Sequence, residues 1–284
     1  MNCEMRELDH EKVLSVLPDR AIDAHKGDFG KLLLLCGSKG YTGAAYLAAM
    51  GALRCGAGLV FLGAAESIYE IEAVKLNEAV VFPLPDKDGK LCVSAIPEII
   101  ERIPKMDAVL IGPGLGQSED TFTVVKAVLE CAACPVVLDA DGINLIAAHK
   151  DIVRGRTAPT ILTPHAGEFS RLGGSTREDR VSEAEKMAKE MDCIMVLKGH
   201  NTVITDGTST YINSTGNPGM AVGGSGDVLA GIITALVGQG LTPLQAAACG
   251  AWLHGAAGDL CADEIGLYGM LPTDMVAVLP RLLK

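Results

Sequence analysis

One glycine-rich segment ending in an aspartate has the residue types for phosphate chemistry. It reads Gly-Asn-Pro-Gly-Met-Ala-Val-Gly-Gly-Ser-Gly-Asp over residues 216–227, and an apolar helical pattern follows at Val228–Val237. Glycines let a backbone approach a ligand closely, and the first amides of a helix have no intrahelical acceptor while the dipole adds positive character. The segment therefore predicts an anion-binding site. Asp227 can take a proton from a hydroxyl as that oxygen attacks a bound phosphoryl group. An ordinary turn with Asp227 as a helix-start residue is the alternative, and the density of glycines favours the binding site.

Four further segments follow predicted strands, where open α/β sheets bind their ligands. They are Gly-Pro-Gly-Leu-Gly at 112–116, Leu-Asp-Ala-Asp-Gly-Ile-Asn at 138–144, Leu-Thr-Pro-His-Ala-Gly-Glu at 162–168 and Lys-Gly-His-Asn-Thr at 198–202. We expect these segments to surround the ligand of the glycine-rich segment.

Each of these four segments has a structural interpretation beside the functional one. The glycines of 112–116 either pass close to a ligand or form a tight turn. Asp139 and Asp141 are candidates to hold Mg²⁺ through water, or Asp141 caps the helix that follows. His165 either contacts a ligand or is structural. Lys198 either approaches phosphate or ribose oxygens or is a solvated turn lysine.

Short apolar runs alternate with longer helical patterns, which is typical of a mostly parallel sheet covered by helices on both faces. The predicted strands are Leu32–Cys36, Leu59–Leu62, Ala79–Phe82, Ala108–Ile111, Val136–Asp139, Thr160–Leu162 and Ile194–Leu197. An antiparallel hairpin at the sheet edge is predicted for Thr202–Thr205 and Thr210–Ile212, joined by Asp206-Gly207. The predicted helices are Gly43–Cys55, Asp120–Cys131, Ser182–Met191, Asp227–Val237 and Pro243–Ala262, with a further apolar pattern at Pro272–Leu283.

Composition restricts the class of protein. The chain has 284 residues with 49% hydrophobic residues and a net charge of −11, so a disordered chain is excluded and nucleic acid is an unexpected partner. We expect a single domain over residues 1–284, with a helical lead-in over about the first 25. No run of about 20 apolar residues and no signal-peptide pattern is present, which predicts a cytoplasmic protein without membrane contact.

Cysteine use favours a reducing compartment. The chain has nine cysteines, an odd number, mostly beside apolar residues, and we expect reduced, buried thiols. Cys131 and Cys134 form a Cys-x-x-Cys pair, but the pair ends a predicted helix instead of opening one, and no second pair completes a zinc site. We interpret both as packing residues. Neither a Walker loop nor a Gly-x-Gly-x-x-Gly fingerprint occurs.

Taken together, these motifs resemble those of the ADP- or ATP-dependent NAD(P)H-hydrate dehydratases of the ribokinase-like superfamily. The similarity extends from about residue 8 to the C-terminus, in the form without an epimerase domain. The motifs that carry it are His-Lys-Gly-Asp at 25–28, Gly-Ser at 37–38 with Tyr-Thr-Gly-Ala-Ala at 41–45, Gly-Pro-Gly-Leu-Gly at 112–116, Asp-Ala-Asp-Gly at 139–142, Leu-Thr-Pro-His at 162–165 with Glu168, Lys-Gly-His-Asn-Thr at 198–202 and Gly-Ser-Gly-Asp-Val-Leu-Ala-Gly at 224–231.

The resemblance implies a ribokinase-like fold and repair of hydrated NADH or NADPH. The S hydrate would return to the reduced cofactor while ADP, or in some members ATP, gives up a phosphate, and Mg²⁺ is expected with the nucleotide. By position, it implies Asp227 as the catalytic base. It assigns two sets of contacts, to the hydrated dinucleotide (Ala44, Gly114, Gly116, His165 and Asp227) and to the adenine nucleotide (Lys198, Gly199, His200, Asn201, Thr202, Gly224, Ser225 and Gly226).

Two other functions share the same glycine-rich segment. One is a kinase of the superfamily that phosphorylates a small alcohol such as hydroxyethylthiazole, which would need a closed pocket where a dinucleotide needs a long groove. The other is a nucleotide sensor without catalysis, which the presence of Asp227 disfavours. The resemblance also implies a homotetramer, in which the apolar helices at Pro243–Ala262 and Pro272–Leu283 would lie in an interface, although core packing explains them equally well.

Overall fold

A ten-stranded sheet runs through the computed structural model, which describes residues 5, 6, 8–177 and 179–284. The strands are β1 (Met5–Arg6), β2 (Lys31–Leu35), β3 (Leu59–Ala65), β4 (Val80–Leu84), β5 (Asp86–Lys87), β6 (Lys90–Leu91), β7 (Ala108–Ile111), β8 (Val136–Leu138), β9 (Thr160–Leu162), β10 (Ile194–Leu197), β11 (Thr202–Thr205) and β12 (Thr210–Asn213). The order across the large sheet is β1-β12-β11-β10-β9-β8-β7-β2-β3-β4, and β5 and β6 form a separate antiparallel pair. Every neighbouring pair from β10 to β4 is parallel.

Helices connect the parallel strands and cover both faces of the sheet. They are α1 (His10–Val16), α2 (Thr42–Arg54), α3 (Tyr69–Lys75), α4 (Ile96–Arg102), α5 (Glu119–Cys131), α6 (Asp141–Ile146), α7 (Asp151–Arg154), α8 (Ala166–Arg171), α9 (Arg180–Met191), α10 (Ser225–Gly238), α11 (Pro243–Glu264) and α12 (Pro272–Val278). The predicted fold class is therefore confirmed.

All seven predicted parallel strands are present, with ends that move by up to three residues. The predicted hairpin is also present, since β11 pairs antiparallel with both β10 and β12. Two strand features were missed, the strand β1 and the separate antiparallel pair of β5 and β6. The two-residue strand β1 pairs with β12 and forms the outermost strand on that side.

The apolar runs of the strands fill two cores, one on each face of the sheet. Along β2, Leu32 and Leu34 belong to the core beneath α2, α10 and α11, whereas Leu33 and Leu35 belong to the core on the side of α5 and α9. Because successive side chains of a strand point to opposite faces, a strand buried on both faces shows no alternation of apolar and polar residues.

Two glycines set the close packing of α2 against α10. A Cβ on Gly231 would lie 2.1 Å from the carbonyl oxygen of Ala48, and one on Gly51 would lie 2.6 Å from that of Val228. Neither distance is compatible with a side chain. The contact fixes the position of α10, and with it Asp227, relative to α2.

The C-terminal apolar helices contribute to the cores of the described chain. Buried residues lie along most of α11, including Ala247, Leu253 and Cys261, and α12 contributes Met275 and Val276. Core packing therefore accounts for their apolar pattern. No helix of the described residues is long and apolar enough to cross a membrane.

Most of the thiol predictions are confirmed. Eight cysteines lie in the described part of the chain, all of them free, and Cys3 lies outside it. The prediction of buried thiols is wrong for Cys131, which is exposed, and Cys134 is only half-buried. Cys131 is the last residue of α5.

Candidate active site

The start of α10 has free amide groups, as the glycine-rich segment predicts. Gly224 precedes the helix in the left-handed region (φ 99°) and gives it no side-chain cap. The N–H of Ser225 donates to Val222 and that of Val228 to Gly224, whereas the N–H groups of Gly226 and Asp227 have no acceptor among the described residues. With the dipole of a 14-residue helix behind them, these two amides form an anion-binding site.

Asp227 is the third residue of α10, and burial makes its charge costly. Burial and the neighbouring Asp139 carboxylate raise its pKa to about 7, although Lys198 acts in the opposite direction. Within the described part of the chain, no ion pair or hydrogen bond engages its carboxylate. A carboxylate with a pKa near neutrality is suited to accept a proton from a substrate hydroxyl.

Lys198 and Asp139 form a largely buried ion pair beside this helix start. The Lys198 Nζ donates to Asp139 Oδ1 at 2.8 Å, and the Thr163 hydroxyl donates to the same oxygen at 2.6 Å. Burial lowers the pKa of Lys198, but Asp139 and Glu168 outweigh it, so the net pKa is raised and the amine stays charged. A Cβ on Gly226 would lie 3.3 Å from Nζ. The alternative of a solvated turn lysine is therefore wrong.

The sheet order explains why these groups meet. Asp139, Glu168 and Lys198 follow β8, β9 and β10, which are neighbours in the sheet with the same direction. Their side chains therefore leave the sheet at one edge. Lys198 Nζ lies 3.9 Å from Glu168 Oε2, which places one ammonium between two carboxylates.

His165 has the structural role of a cap at the start of α8, and its ring remains largely exposed. Its Nδ1 accepts the N–H groups of Gly167 at 2.9 Å and Glu168 at 3.3 Å, and the Glu168 carboxylate accepts the His165 N–H at 2.8 Å. This is a capping box at the start of α8. Because Nδ1 accepts, the neutral imidazole carries its proton on Nε2. Nε2 lies 3.5 Å from Glu168 Oε1, and the side chain is 55% exposed, so a ligand can approach this edge of the ring.

Asp141 does not cap α6, and its carboxylate instead holds the 112–116 turn. Its Oδ2 accepts the N–H of Gly116 at 2.9 Å, and Oδ1 accepts the side-chain amide of Gln117 at 2.8 Å. Asp141 is the first residue of α6, and the position before the helix belongs to Ala140 at φ 48°, a conformation that strains a residue with a side chain.

The 112–116 turn meets the start of α2. A Cβ on Gly114 would lie 2.8 Å from the Ala44 methyl, and the Ser38 hydroxyl donates to the Gly114 carbonyl at 2.7 Å. Gly112, Gly114 and Gly116 all have positive φ. The structure therefore brings Ala44 and Gly114 together, two of the residues expected to contact the dinucleotide.

A cavity of about 820 Å³ opens beside Asp227. Its lining includes the 198–202 loop, His165, Ser225, Gly226 and Asp227. Four other expected site residues are not part of this lining, namely Ala44, Gly114, Gly116 and Gly224. They lie instead around the 112–116 turn, with Gly224 at the entry to α10.

His254 is a cavity residue that the motifs did not indicate. Its Nε2 lies 2.8 Å from the carbonyl oxygen of Ser225, which can only accept, so Nε2 carries the proton. Burial lowers the pKa of His254 to about 4, so the imidazole is neutral. It ties α11 to the first residue of α10. A histidine within the apolar middle of α11, residues 246–258, was the available signal.

The donor set suits Mg²⁺ held mainly by a nucleotide. Asp139 Oδ1 is occupied by Lys198 and Thr163, which leaves Oδ2 for a water ligand. No group of three or more His, Cys, Asp or Glu side chains placed to hold a metal occurs in the described ranges. Magnesium commonly uses one or two carboxylates together with phosphates and water. Asp139 fits that arrangement, whereas both oxygens of Asp141 serve the turn and both oxygens of Glu168 face His165.

Comparison with known proteins identifies the family. The family model described as NAD(P)H-hydrate dehydratase matches residues 32–281. The chain belongs to the NAD(P)H-hydrate dehydratase family.

Relatives in this family resemble nearly the whole chain. A bifunctional NAD(P)H-hydrate repair enzyme of Moorella thermoacetica is 45% identical over 277 residues, which is 95% of this chain and 52% of the relative. The chain thus spans about half the length of this relative. A crystal structure of the ADP/ATP-dependent NAD(P)H-hydrate dehydratase of Bacillus subtilis, co-crystallised with ATP and Mg²⁺, has a TM-score of 0.84 at 33% identity and covers 99% of this chain and 98% of its own.

The fold of the dehydratase family is also found in a ribokinase-like superfamily protein of Enterococcus faecalis. Its crystal structure has a TM-score of 0.87 at 28% identity and covers 98% of this chain and 95% of its own. The prediction of a ribokinase-like fold is confirmed.

Proposed function

We propose that this protein removes water from the S hydrate of NADH or NADPH at the expense of ADP, or of ATP, releasing AMP and phosphate when ADP is used. One observation carries the proposal. Two free helix-start amides, at Gly226 and Asp227, lie beside a carboxylate that has no partner among the described residues, at the wall of a cavity of about 820 Å³.

The first step is phosphorylation of the hydrate. Asp227 accepts the proton of the ring hydroxyl, and the oxygen attacks the β-phosphorus of ADP, breaking the bond to the oxygen bridging to the α-phosphate. The amides of Gly226 and Asp227 hold the oxygens of the transferring group, and the Lys198 ammonium beside Gly226 adds a positive charge. Mg²⁺, when bound with the nucleotide, screens the diphosphate charge.

The second step is elimination. Hydroxide is a poor leaving group, whereas phosphate on the same carbon is expelled by the lone pair of the ring nitrogen. Loss of a proton from the neighbouring ring carbon then restores the dihydronicotinamide. Because the ring nitrogen drives the loss of phosphate, this step needs little further help from the protein.

Two sets of contacts follow from this assignment. Ala44, the turn at 114–116, His165 and Asp227 contact the hydrated dinucleotide, supported by the packing of Ala44 on Gly114. The loop at 198–202 and the residues at 224–226 contact the adenine nucleotide, supported by the lining of the cavity.

We further propose one domain for the whole chain, a homotetrameric assembly and a cytoplasmic location. The single ten-stranded sheet supports the first. The free cysteines support a reducing compartment. Light scattering and localisation of a tagged chain test the other two.

The deciding experiment adds ADP to chemically hydrated NADH and follows the absorbance band of NADH. We expect the band to return with ADP, or with ATP, at a rate proportional to the enzyme concentration. No return with either nucleotide would exclude the dehydratase. Phosphorylation of hydroxyethylthiazole in place of that return would identify a small-alcohol kinase.

A further inference from the structure

Arg180 gathers three carbonyl oxygens on the outer side of the loop at 198–202. Its Nη1 donates to the carbonyl of His200 at 2.7 Å, and its Nη2 donates to those of Leu197 and Lys198, each at 3.2 Å. Arg180 is the first residue of α9, whose start is fixed because the Asp179 carboxylate accepts two backbone N–H groups. One guanidinium therefore joins α9 to the end of β10 and to the loop.

The loop backbone is bent in a way that this contact requires. Gly199 has φ 148° and Asn201 has φ 54°. A Cβ on Gly199 would lie 2.9 Å from the Arg180 Nη2, so the glycine allows the guanidinium to approach. Asn201 lies in the left-handed region, which asparagine adopts more readily than other residues with a side chain, so the residue present suits this turn.

Orientation of the carbonyl groups also sets the direction of the amides. In a trans peptide the C=O and N–H bonds point in opposite directions. The carbonyl of His200 points to Arg180, so the N–H of Asn201 in the same peptide points away from it. Asn201 lines the cavity, and its N–H has no acceptor within residues 8–177 and 179–284.

We propose that Arg180 is a positioning residue for the nucleotide, which holds the 198–202 loop so that the Asn201 N–H faces an oxygen of the bound diphosphate or ribose. The inference rests on the proposed nucleotide site. Arg180 itself lies behind the loop and touches no ligand. Of the three peptides that it holds, only the one between His200 and Asn201 has an N–H without an acceptor in the described chain, because the Lys198 N–H donates to the Pro164 carbonyl and the Gly199 N–H donates to Thr202 Oγ1. The guanidinium on the His200 carbonyl therefore leaves the Asn201 N–H for an anionic ligand.

The test measures ADP affinity by calorimetry in the wild type, Arg180→Ala and Arg180→Lys. We expect the Kd of ADP to rise about tenfold or more in Arg180→Ala, because three charge-assisted hydrogen bonds are lost. Arg180→Lys should fall between the two, since lysine keeps the charge and loses the fork. Methylguanidine at millimolar concentration should lower the Kd of Arg180→Ala again.

Arg154→Ala is the matched control, because Arg154 is an exposed arginine at the end of α7. It should leave the Kd of ADP unchanged. If Arg180 were merely structural, Arg180→Ala would lower the melting temperature, and methylguanidine would not restore the affinity for ADP. That result would overturn the inference. Unchanged ADP affinity in Arg180→Ala would overturn it as well.

The same measurements separate this inference from the proposed reaction. A wild type that binds ADP but does not restore NADH from its hydrate would refute the dehydratase, while the Kd values still decide the role of Arg180. A wild type that binds no ADP would refute the role of Arg180 in ADP binding, and one that binds neither ADP nor ATP would refute the proposed reaction as well.

Discussion

At the scale of single residues, the raised pKa of Asp227 links catalysis to pH. Burial and Asp139 raise this pKa to about 7, and the base must be ionised to accept a proton. We therefore expect kcat/KM to fall as the pH drops through about 7, approaching a tenfold loss per pH unit below it. Steady-state rates at fixed ionic strength between pH 5.5 and 8.5 test this, and a flat profile across that range would contradict the assignment of the base.

Replacing Asp227 by asparagine should lower the activity and raise the stability of the protein. Removal of the base should lower kcat about 10²-fold or more while ADP still binds. The native pKa of about 7 lies above the ordinary value of 3.8, so the native state binds more protons than the unfolded chain between these pH values. Stability is therefore lost as the pH rises through that window.

Asp227→Asn removes this loss. We expect the variant to be more stable than the wild type by about 2 kcal/mol at pH 8 and nearly equal at pH 4, measured by urea unfolding. The control is Asp263→Asn, because Asp263 is an exposed aspartate. This change should alter neither activity nor stability. Near-normal turnover of Asp227→Asn would refute its role as the base.

At the scale of elements, the packing of α2 against α10 positions the chemistry. Gly231→Ala would place a Cβ 2.1 Å from the Ala48 carbonyl oxygen, so the two helices must separate. We expect a loss of about 1–3 kcal/mol in stability. Because the shift moves the amides at the start of α10 relative to Lys198, kcat should fall as well.

Gly269→Ala provides the comparison for this prediction. The nearest atom to its added Cβ is Ile265 Cγ2 at 3.6 Å, an ordinary contact. Both variants should be examined by thermal unfolding and by turnover. If Gly231→Ala matched Gly269→Ala in both measurements, close helix contact would not be what holds the site.

At the scale of the whole molecule, the two cores share the strands of one sheet. β2 contributes Leu32 and Leu34 to one core and Leu33 and Leu35 to the other, so neither core can be lost alone without exposing the sheet. We expect one cooperative unfolding transition. Far-ultraviolet circular dichroism and fluorescence of Trp252, the single tryptophan, should give the same midpoint.

ADP should shift the unfolding midpoints of both probes equally. At a concentration one hundred times its Kd, it should raise the free energy of unfolding by about 2.7 kcal/mol. Trp252 stacks on His10 with ring centroids 5.6 Å apart, so its fluorescence reports on the contact of α11 with the N-terminal helix. Two separate midpoints, or a shift of one alone, would show that the chain unfolds as more than one unit.

Short elements escaped the sequence for identifiable reasons. The helices α7 and α8 have only four and six residues, too few for an apolar periodicity to emerge. The strand β1 has two residues and exists because it pairs with β12, more than 200 positions away. By contrast, the parallel strands were predictable because each is an apolar run closed by glycine or polar residues.

The amino-acid sequence by itself indicated the unpaired amides at the start of α10 and the carboxylate that lies beside them. That information is local, since glycines before an apolar helix fix free amides within a few residues of Asp227. The tertiary structure alone decided that Lys198 pairs with Asp139, that His254 donates to Ser225 and that Arg180 holds the loop at 198–202. These partners meet because of the order of strands in the sheet and the packing of helices over it. The local spacing of residues determines neither the strand order nor the helix packing, because contacts between residues far apart in the chain depend on how the elements are arranged.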